Sequence, residues 1–343
     1  MVSKPVTSRE RTLTAIAHKN PDKIPLTFYV EQPLYDRMLK EFGPRETWPC
    51  PPDDIIRILW PIDYSDITEA GCKDMFGCDW IRHEQGGFMM ANPPMKEPEA
   101  NLIPRIDILP QSEIDRILQT RKKHPDKFIF YQFTSSFGER LWSLRGLEQT
   151  FMDYLLYPDF VSEALDILLE MHMKALEKLL KLPVDCVTFG DDMGSQRGLL
   201  ISRKLFLKFF KPRYAMLYER VRAAGMVVGM HSCGDNTELM SDFVDIGLQI
   251  FHPLQPEAMD IAHIKKEFGK DLTFRGGLST QRAIPFGTPQ EARQEIRDSV
   301  RVLSQGGGYL METAKPLRPE TPIENVIAVM EEMTKLVNYD FSE

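Results

Sequence analysis

Cysteine is scarce and forms no cross-linking pattern. The chain has five, Cys50, Cys72, Cys78, Cys186 and Cys233, odd in number and irregularly spaced over 343 residues. That argues against a disulfide framework and makes any special cysteine a ligand or a nucleophile. Long apolar runs are also missing. The longest are short and broken by charge, so no segment reads as a membrane span, and the opening MVSKPVTSRERTLTAI has no apolar signal core. The expectation is a soluble, cytoplasmic protein. No basic run stands out, and 42 Lys and Arg against 50 Asp and Glu give a net charge of −8, so nucleic acid is not an expected partner. Internal repeats, low-complexity tracts and charged tails are lacking as well.

With 43% of residues apolar and 27% charged, the chain has material for a large core under a solvated surface. The second half alternates short β-branched or aromatic runs with helices of 3.6 period. Asp185 to Phe189, Met226 to Met230, Leu248 to Phe251, Leu272 to Phe274 and Tyr309 to Met311 read as strands. The helices that follow them run from Ser202 to about Ala224, Thr237 to Ile246, Asp260 to Phe268, Pro289 to Ser304 and Pro322 to Leu336. Five consecutive βα units demand a parallel sheet. The first half adds a helix at Ser8 to Lys19 and strands at Pro25 to Val30 and Phe128 to Phe133, with FGCDWIRHEQGGFMM as a small hairpin decoration inside the Pro-rich stretch from Trp48 to Pro110. No linker interrupts the repeat, which predicts residues 1–343 as a single (β/α)8 TIM barrel of class α/β. An open doubly wound sheet is the alternative, but no GxGxxG loop follows a first strand to support it.

In a barrel the chemistry sits where strands end and βα loops begin. Glu31 and Gln32, Thr134 and Ser135, Asp191 and Asp192, His231 and Cys233, His252, Arg275, and Glu312 with Lys315 fall at such ends. His231 and Cys233 form H-x-C, and residues two apart on an extended segment face one side, so both can reach one cation. Imidazole with thiolate points to zinc; the plainer reading is a turn shaped by Ser232, Gly234 and Asp235. One of Asp191 and Asp192 must face the mouth while the other turns away, as a ligand, a base or merely a helix cap. Glu312 is out of place in a strand unless paired, with Lys315 its nearest partner in sequence. His252, in FHPLQP, either touches a ligand or fills the barrel top.

Over nearly its whole length the chain resembles the uroporphyrinogen decarboxylase superfamily. The segments that carry the resemblance are TSRERTLTAIAHKNPDKIPLTFYV, FGDDMGSQRGLLISRKLFLKFFKPRY, MHSCGDN and PFGTPQEARQEIRDSVRVLSQGGGYLMETAKPLRPETPIENV. That superfamily implies a (β/α)8 barrel and includes both tetrapyrrole decarboxylases and corrinoid-dependent zinc methyltransferases. The decarboxylases carry an RQAGR segment after the first strand, where this chain reads YVEQPLYDR; Glu31 there would repel a polyacid. The methyltransferases complete H-x-C with a downstream ligand, usually cysteine; here that place reads Lys315, with Glu312 nearby.

The resemblance therefore implies a methyltransferase that takes a methyl group from a small methylated donor, an aryl methyl ether fitting best, and passes it to cobalamin. The chain lacks a D-x-H-x-x-G segment, so the corrinoid would arrive on a separate corrinoid-binding protein. The expected site has Zn2+ on His231, Cys233 and Glu312, chemistry at Asp191, Asp192 and Lys315, and substrate contacts at Glu31, Gln196 and His252. A homodimer is compatible with this reading. The alternatives are a metal-free lyase in which Asp191 or Asp192 and Lys315 handle a carboxylated substrate, and a non-catalytic binding barrel.

Overall fold

A computed structural model describes residues 5–60, 71–82 and 88–338. Seven parallel strands form one sheet: Ile55–Leu59 (β1), Phe128–Phe133 (β2), Cys186–Gly190 (β3), Val227–His231 (β4), Ile250–Leu254 (β5), Thr273–Leu278 (β6) and Tyr309–Thr313 (β7). Each strand pairs with the next in chain order. That order has no reversal about a central strand, so the doubly wound alternative is set aside. Every residue of β2, β3, β5, β6 and β7 is buried, as expected of parallel strands covered on both faces.

The expected eighth strand is not formed as a strand. Residues 25–30 run extended beside β7 with only isolated bridges, Leu26 to Met311 and Val30 to Leu317. On the other flank, side chains take the amides that a ladder partner's carbonyls would otherwise accept. The Asp54 carboxylate accepts from the Leu26 amide at 3.2 Å and the Asp53 carboxylate from the Phe28 amide at 2.7 Å. The architecture is thus a curled seven-stranded half-barrel. β1 itself lies inside the Pro-rich stretch from Trp48 to Pro110, where no strand of the main sheet was expected. The decoration is real but starts earlier than the predicted FGCDWIRHEQGGFMM, as the antiparallel strands Gly71–Lys73, Asp79–Arg82 and Phe88–Met90; residues 83–87 of the predicted hairpin lie outside the described residues.

Two further details bear on the site. The N-terminal helix Ser8–Ile16 opens with a capping box between Thr7 and Glu10. Its Ala15 and Ile16 pack on Ile55, Phe128, Cys186, Val227 and Ile250, the first residues of five strands. This closes the N-terminal end of the sheet and leaves the opposite end for chemistry. The helix expected from Ser202 to about Ala224 is capped by Ser202 but contains a π turn at Phe206–Phe210 before Lys211–Ala223. Pro212 has no N–H to offer the preceding turn, which is reason enough for the register to slip there. Among the described residues no helix is long and apolar enough to cross a membrane.

Candidate functional site

The HSCGDN segment leaves β4 as a loop wrapped around one side chain. The Asn236 amide donates to the carbonyls of Ser232, Cys233 and Gly234 at 3.0–3.1 Å, and its oxygen accepts from the Ser232 hydroxyl at 2.8 Å. Ser232 also accepts from the Met193 amide, tying the loop to the one that follows β3. Gly234 sits at φ +78° against the Gly194 backbone, where a Cβ would fall 2.4 Å from the Gly194 carbonyl carbon. Only glycine fits that approach. Cys233 is thereby held over the mouth beside His231.

Asp191 and Asp192 divide their duties. Asp191 turns away, fully buried, and accepts from the amides of Phe137, Gly138 and Glu139 and from the Tyr214 hydroxyl. It anchors the N-terminus of helix Gly138–Arg145, a structural duty in place of the expected chemical one. Burial pushes its pKa up to about 6, against those hydrogen bonds. Asp192 turns inward. Its Oδ1 accepts from the Cys233 amide at 2.8 Å and lies 3.9 Å from His231 Nε2, which is itself 3.4 Å from Cys233 Sγ. One ligand atom from each of Asp192, His231 and Cys233 falls within 4.8 Å of the other two.

That donor set fits zinc. A tetrahedral ion with Zn–S of about 2.3 Å and Zn–N of about 2.05 Å puts its nitrogen and sulfur roughly 3.6 Å apart, close to the observed separation. Burial lowers the His231 pKa to about 4, Asp192 opposing, so the imidazole is neutral and its lone pair free. Burial, with the Asp192 charge, raises the Cys233 thiol to about 12, and Lys315 pulls the other way. A cation bound there must displace the thiol proton. Burial works against the Lys315 ammonium, but Cys233 and the carboxylates of Asp192 and Glu139 outweigh it and hold its pKa above the ordinary range.

Glu312 is not in this cluster. Its carboxylate is buried between two arginines, Arg275 at 2.6 Å and Arg57 at 3.3 Å, and the expected partner Lys315 turns to Cys233 instead. The carboxylate beside His231 and Cys233 belongs to Asp192. His252 joins the site through Nδ1, 2.8 Å from His231 Nδ1. Beyond the cluster a cavity of about 150 Å3 is walled by Tyr29, Arg57, Gln132, Thr134, His252 and Lys315, among others. Two candidates stand outside it. Gln196 is exposed at the tip of the short hairpin Gly194–Ser195 and Gly198–Leu199, and Glu31 precedes helix Gln32–Phe42 with a carboxylate oxygen 4.0 Å from Arg318.

Sequence reasoning missed Arg57 and Glu139. An arginine in the middle of the β-branched run IIRIL was the available signal for the first. Glu139 follows a strand end by six residues, and nothing local sets it apart. Burial, then the charges of Asp192 and Asp191, hold its carboxyl well above the usual range.

The chain is 24% identical over 172 residues to the methylcobamide:CoM methyltransferase MtaA of Methanosarcina barkeri, an alignment covering 50% of this chain and 48% of that protein. It is 23% identical over 148 residues to the methylated-thiol–coenzyme M methyltransferase of Methanosarcina mazei, covering 43% and 38%. The chain thus spans about half the length, or less, of the curated relatives it matches. A solved methyltransferase from Methanosarcina mazei superposes with a TM-score of 0.72 at 18% identity, over 96% of this chain and 99% of that one, which shows the shared fold. The profile of the family described as Uroporphyrinogen decarboxylase (URO-D) matches residues 64–336, well over half of the sequence, and the chain belongs to that family.

Proposed function

We propose that this protein is a corrinoid-dependent methyltransferase that takes a methyl group from a small methylated donor, an aryl methyl ether in the first instance, and delivers it to a corrinoid on a separate protein. The convergence of Asp192, His231 and Cys233 at the C-terminal end of the sheet carries the reading. These three residues would hold the metal, with Asp192 taking the place expected of Glu312. Zinc in such a site supplies Lewis-acid polarisation of the donor heteroatom. The chain's own residues do the rest. Lys315 places an ammonium beside Cys233, where it stabilises negative charge building on the departing oxygen while the methyl carbon passes to reduced cobalt; that is worth more in a water-poor cavity than in bulk. Asp191 keeps Asp192 in place through its grip on helix Gly138–Arg145.

A second reading runs the other way, methyl transfer to a thiol, and the names of the relatives favour it. The donor set favours the ether. One thiolate with a carboxylate leaves a harder metal than two thiolates would, and a harder metal suits oxygen. Mixing the zinc-loaded protein with cob(I)alamin and a panel of methoxyarenes, and following the cobalamin spectrum, decides between them. Methylcobalamin formation from an ether supports the first reading. Methylation of a thiol from methylcobalamin with no ether consumed sinks it.

A further inference from the structure

His252 is 4% exposed, and its Nε2 has no hydrogen-bond partner among the described residues. The ring lines the 150 Å3 cavity, and so does Thr134, whose hydroxyl is likewise buried and unpartnered. A buried polar atom left unpaired is costly, so two of them on residues that line one cavity mark the polar end of a ligand.

Proton counting sets the polarity of that end. Two Nδ1 atoms 2.8 Å apart share one proton. As a metal ligand His231 uses Nε2, the nitrogen that faces Cys233 and Asp192, and must keep that nitrogen bare. Its proton then sits on Nδ1 and is donated to His252. A neutral His252 that accepts at Nδ1 carries its own proton on Nε2, so it meets the cavity as a donor. Apart from the Gln132 amide and the Tyr29 hydroxyl, which can accept as well as donate, the remaining wall is made of donors. Arg57 and Lys315 offer only donors, and the Glu312 carboxylate is taken up by Arg275 and Arg57. Three cations, Arg57, Arg275 and Lys315, stand against two carboxylates, Glu312 and the Asp192 beside Lys315. What completes the wall is an acceptor with negative charge. The volume is close to that of an engineered cavity of about 150 Å3 that holds benzene, so the fit is a molecule of one ring or less.

We infer that His252 and Arg57 hold the oxyanion of a small substrate of carboxylate type, and that the His231–His252 bond couples this grip to metal occupancy. The inference rests on the metal reading above and narrows the donor to one that carries an oxyanion apart from its methyl group. His252 is then a positioning residue for His231 as well as a contact for the substrate.

The test uses the full chain with and without zinc, and benzoate with its neutral isostere benzamide as probes. In protein labelled with ¹⁵N at histidine, ring shifts in the zinc-loaded state should show His252 protonated at Nε2 and bare at Nδ1, assigned through His252→Gln. By calorimetry, benzoate should bind at least tenfold more tightly than benzamide. His252→Leu should weaken zinc binding about 10- to 100-fold, as loss of a partner to a ligating imidazole does. The same change should weaken benzoate at saturating zinc at least tenfold. His252→Gln, which can accept and donate at once, should restore much of both. Protonation of His252 at Nδ1 overturns the relay. Benzoate affinity unchanged in His252→Leu places the carboxylate on the metal and overturns the grip, and equal binding of benzamide overturns the charge argument. Methyl transfer enters none of these readouts, so their failure is distinguishable from failure of the methyltransferase reading.

Discussion

Replacing Glu312 by glutamine separates two accounts of the same residue. If Glu312 were a metal ligand, as its place at the end of the last strand suggested, the variant would lose zinc and little stability. The structure demands the opposite. The carboxylate faces Arg275, whose side chain is 1% exposed, at 2.6 Å, and Arg57, 12% exposed, at 3.3 Å. At roughly 4 Å between charge centres and an effective dielectric of about 20, each attraction is about 4 kcal/mol before desolvation is counted. Among the described residues Arg275 already has one nitrogen without a partner, and its guanidinium lies over the Phe130 ring. Removing the negative charge from a buried pair typically costs about 3–5 kcal/mol, because the other charge stays behind uncompensated. With about 2.1 cal/mol/K of unfolding entropy per residue, that is a drop of roughly 4–7 °C in Tm for a chain of 343 residues. Thermal unfolding followed by tryptophan fluorescence, with zinc measured by mass spectrometry, gives both numbers on one preparation. Full stability with lost zinc would return Glu312 to the metal site and refute the reasoning.

Further outcomes follow from the same geometry. His231→Ala, Cys233→Ala and Asp192→Asn should each lower zinc content sharply with the fold intact by circular dichroism, since loop residues at the mouth add little to the core; full metal in all three would remove the site. Uroporphyrinogen should not be decarboxylated at a useful rate, because four linked pyrroles far exceed a cavity of about 150 Å3; turnover matching a true decarboxylase would contradict this. Stability should fall on acidification from about pH 6.5 to about 4. Burial among Phe133, Phe137 and Phe189 pushes the His172 pKa down to about 4, so the unfolded chain binds the proton first. The loss is about 1.4 kcal/mol per unit and about 3 kcal/mol in all. Urea midpoints across that range should flatten by this share in His172→Leu, and an unchanged slope would mean that His172 is not the group responsible.

The later βα units were legible because their signals are local. A β-branched run, then a helix stopped by a glycine such as Gly225 or Gly247, both at positive φ, needs no knowledge of distant residues. The first half failed where side chains far apart decide the outcome. The Asp53 and Asp54 carboxylates interrupt the strand expected at residues 25–30, and β1 was hidden by the prolines around it. The site divides in the same way. His231 and Cys233 are two residues apart and were found together. Which of Asp191 and Asp192 faces His231 and Cys233 depends on Tyr214 and the turn at Phe137–Glu139, and the fate of Glu312 depends on Arg57, more than two hundred residues away.

The adjacency of Asp191 and Asp192 has a consequence for how such a protein can change. One carboxylate clamps β3 to helix Gly138–Arg145 and, through Tyr214, to helix Lys211–Ala223. Among the described residues its neighbour, one peptide bond away, makes no bond that the scaffold depends on beyond the Cys233 amide. Position 191 is therefore mortgaged to the architecture and position 192 is not. A substitution at 192 can change the donor set beside His231 and Cys233 while the frame stays standing. The same substitution at 191 would take the frame down with it.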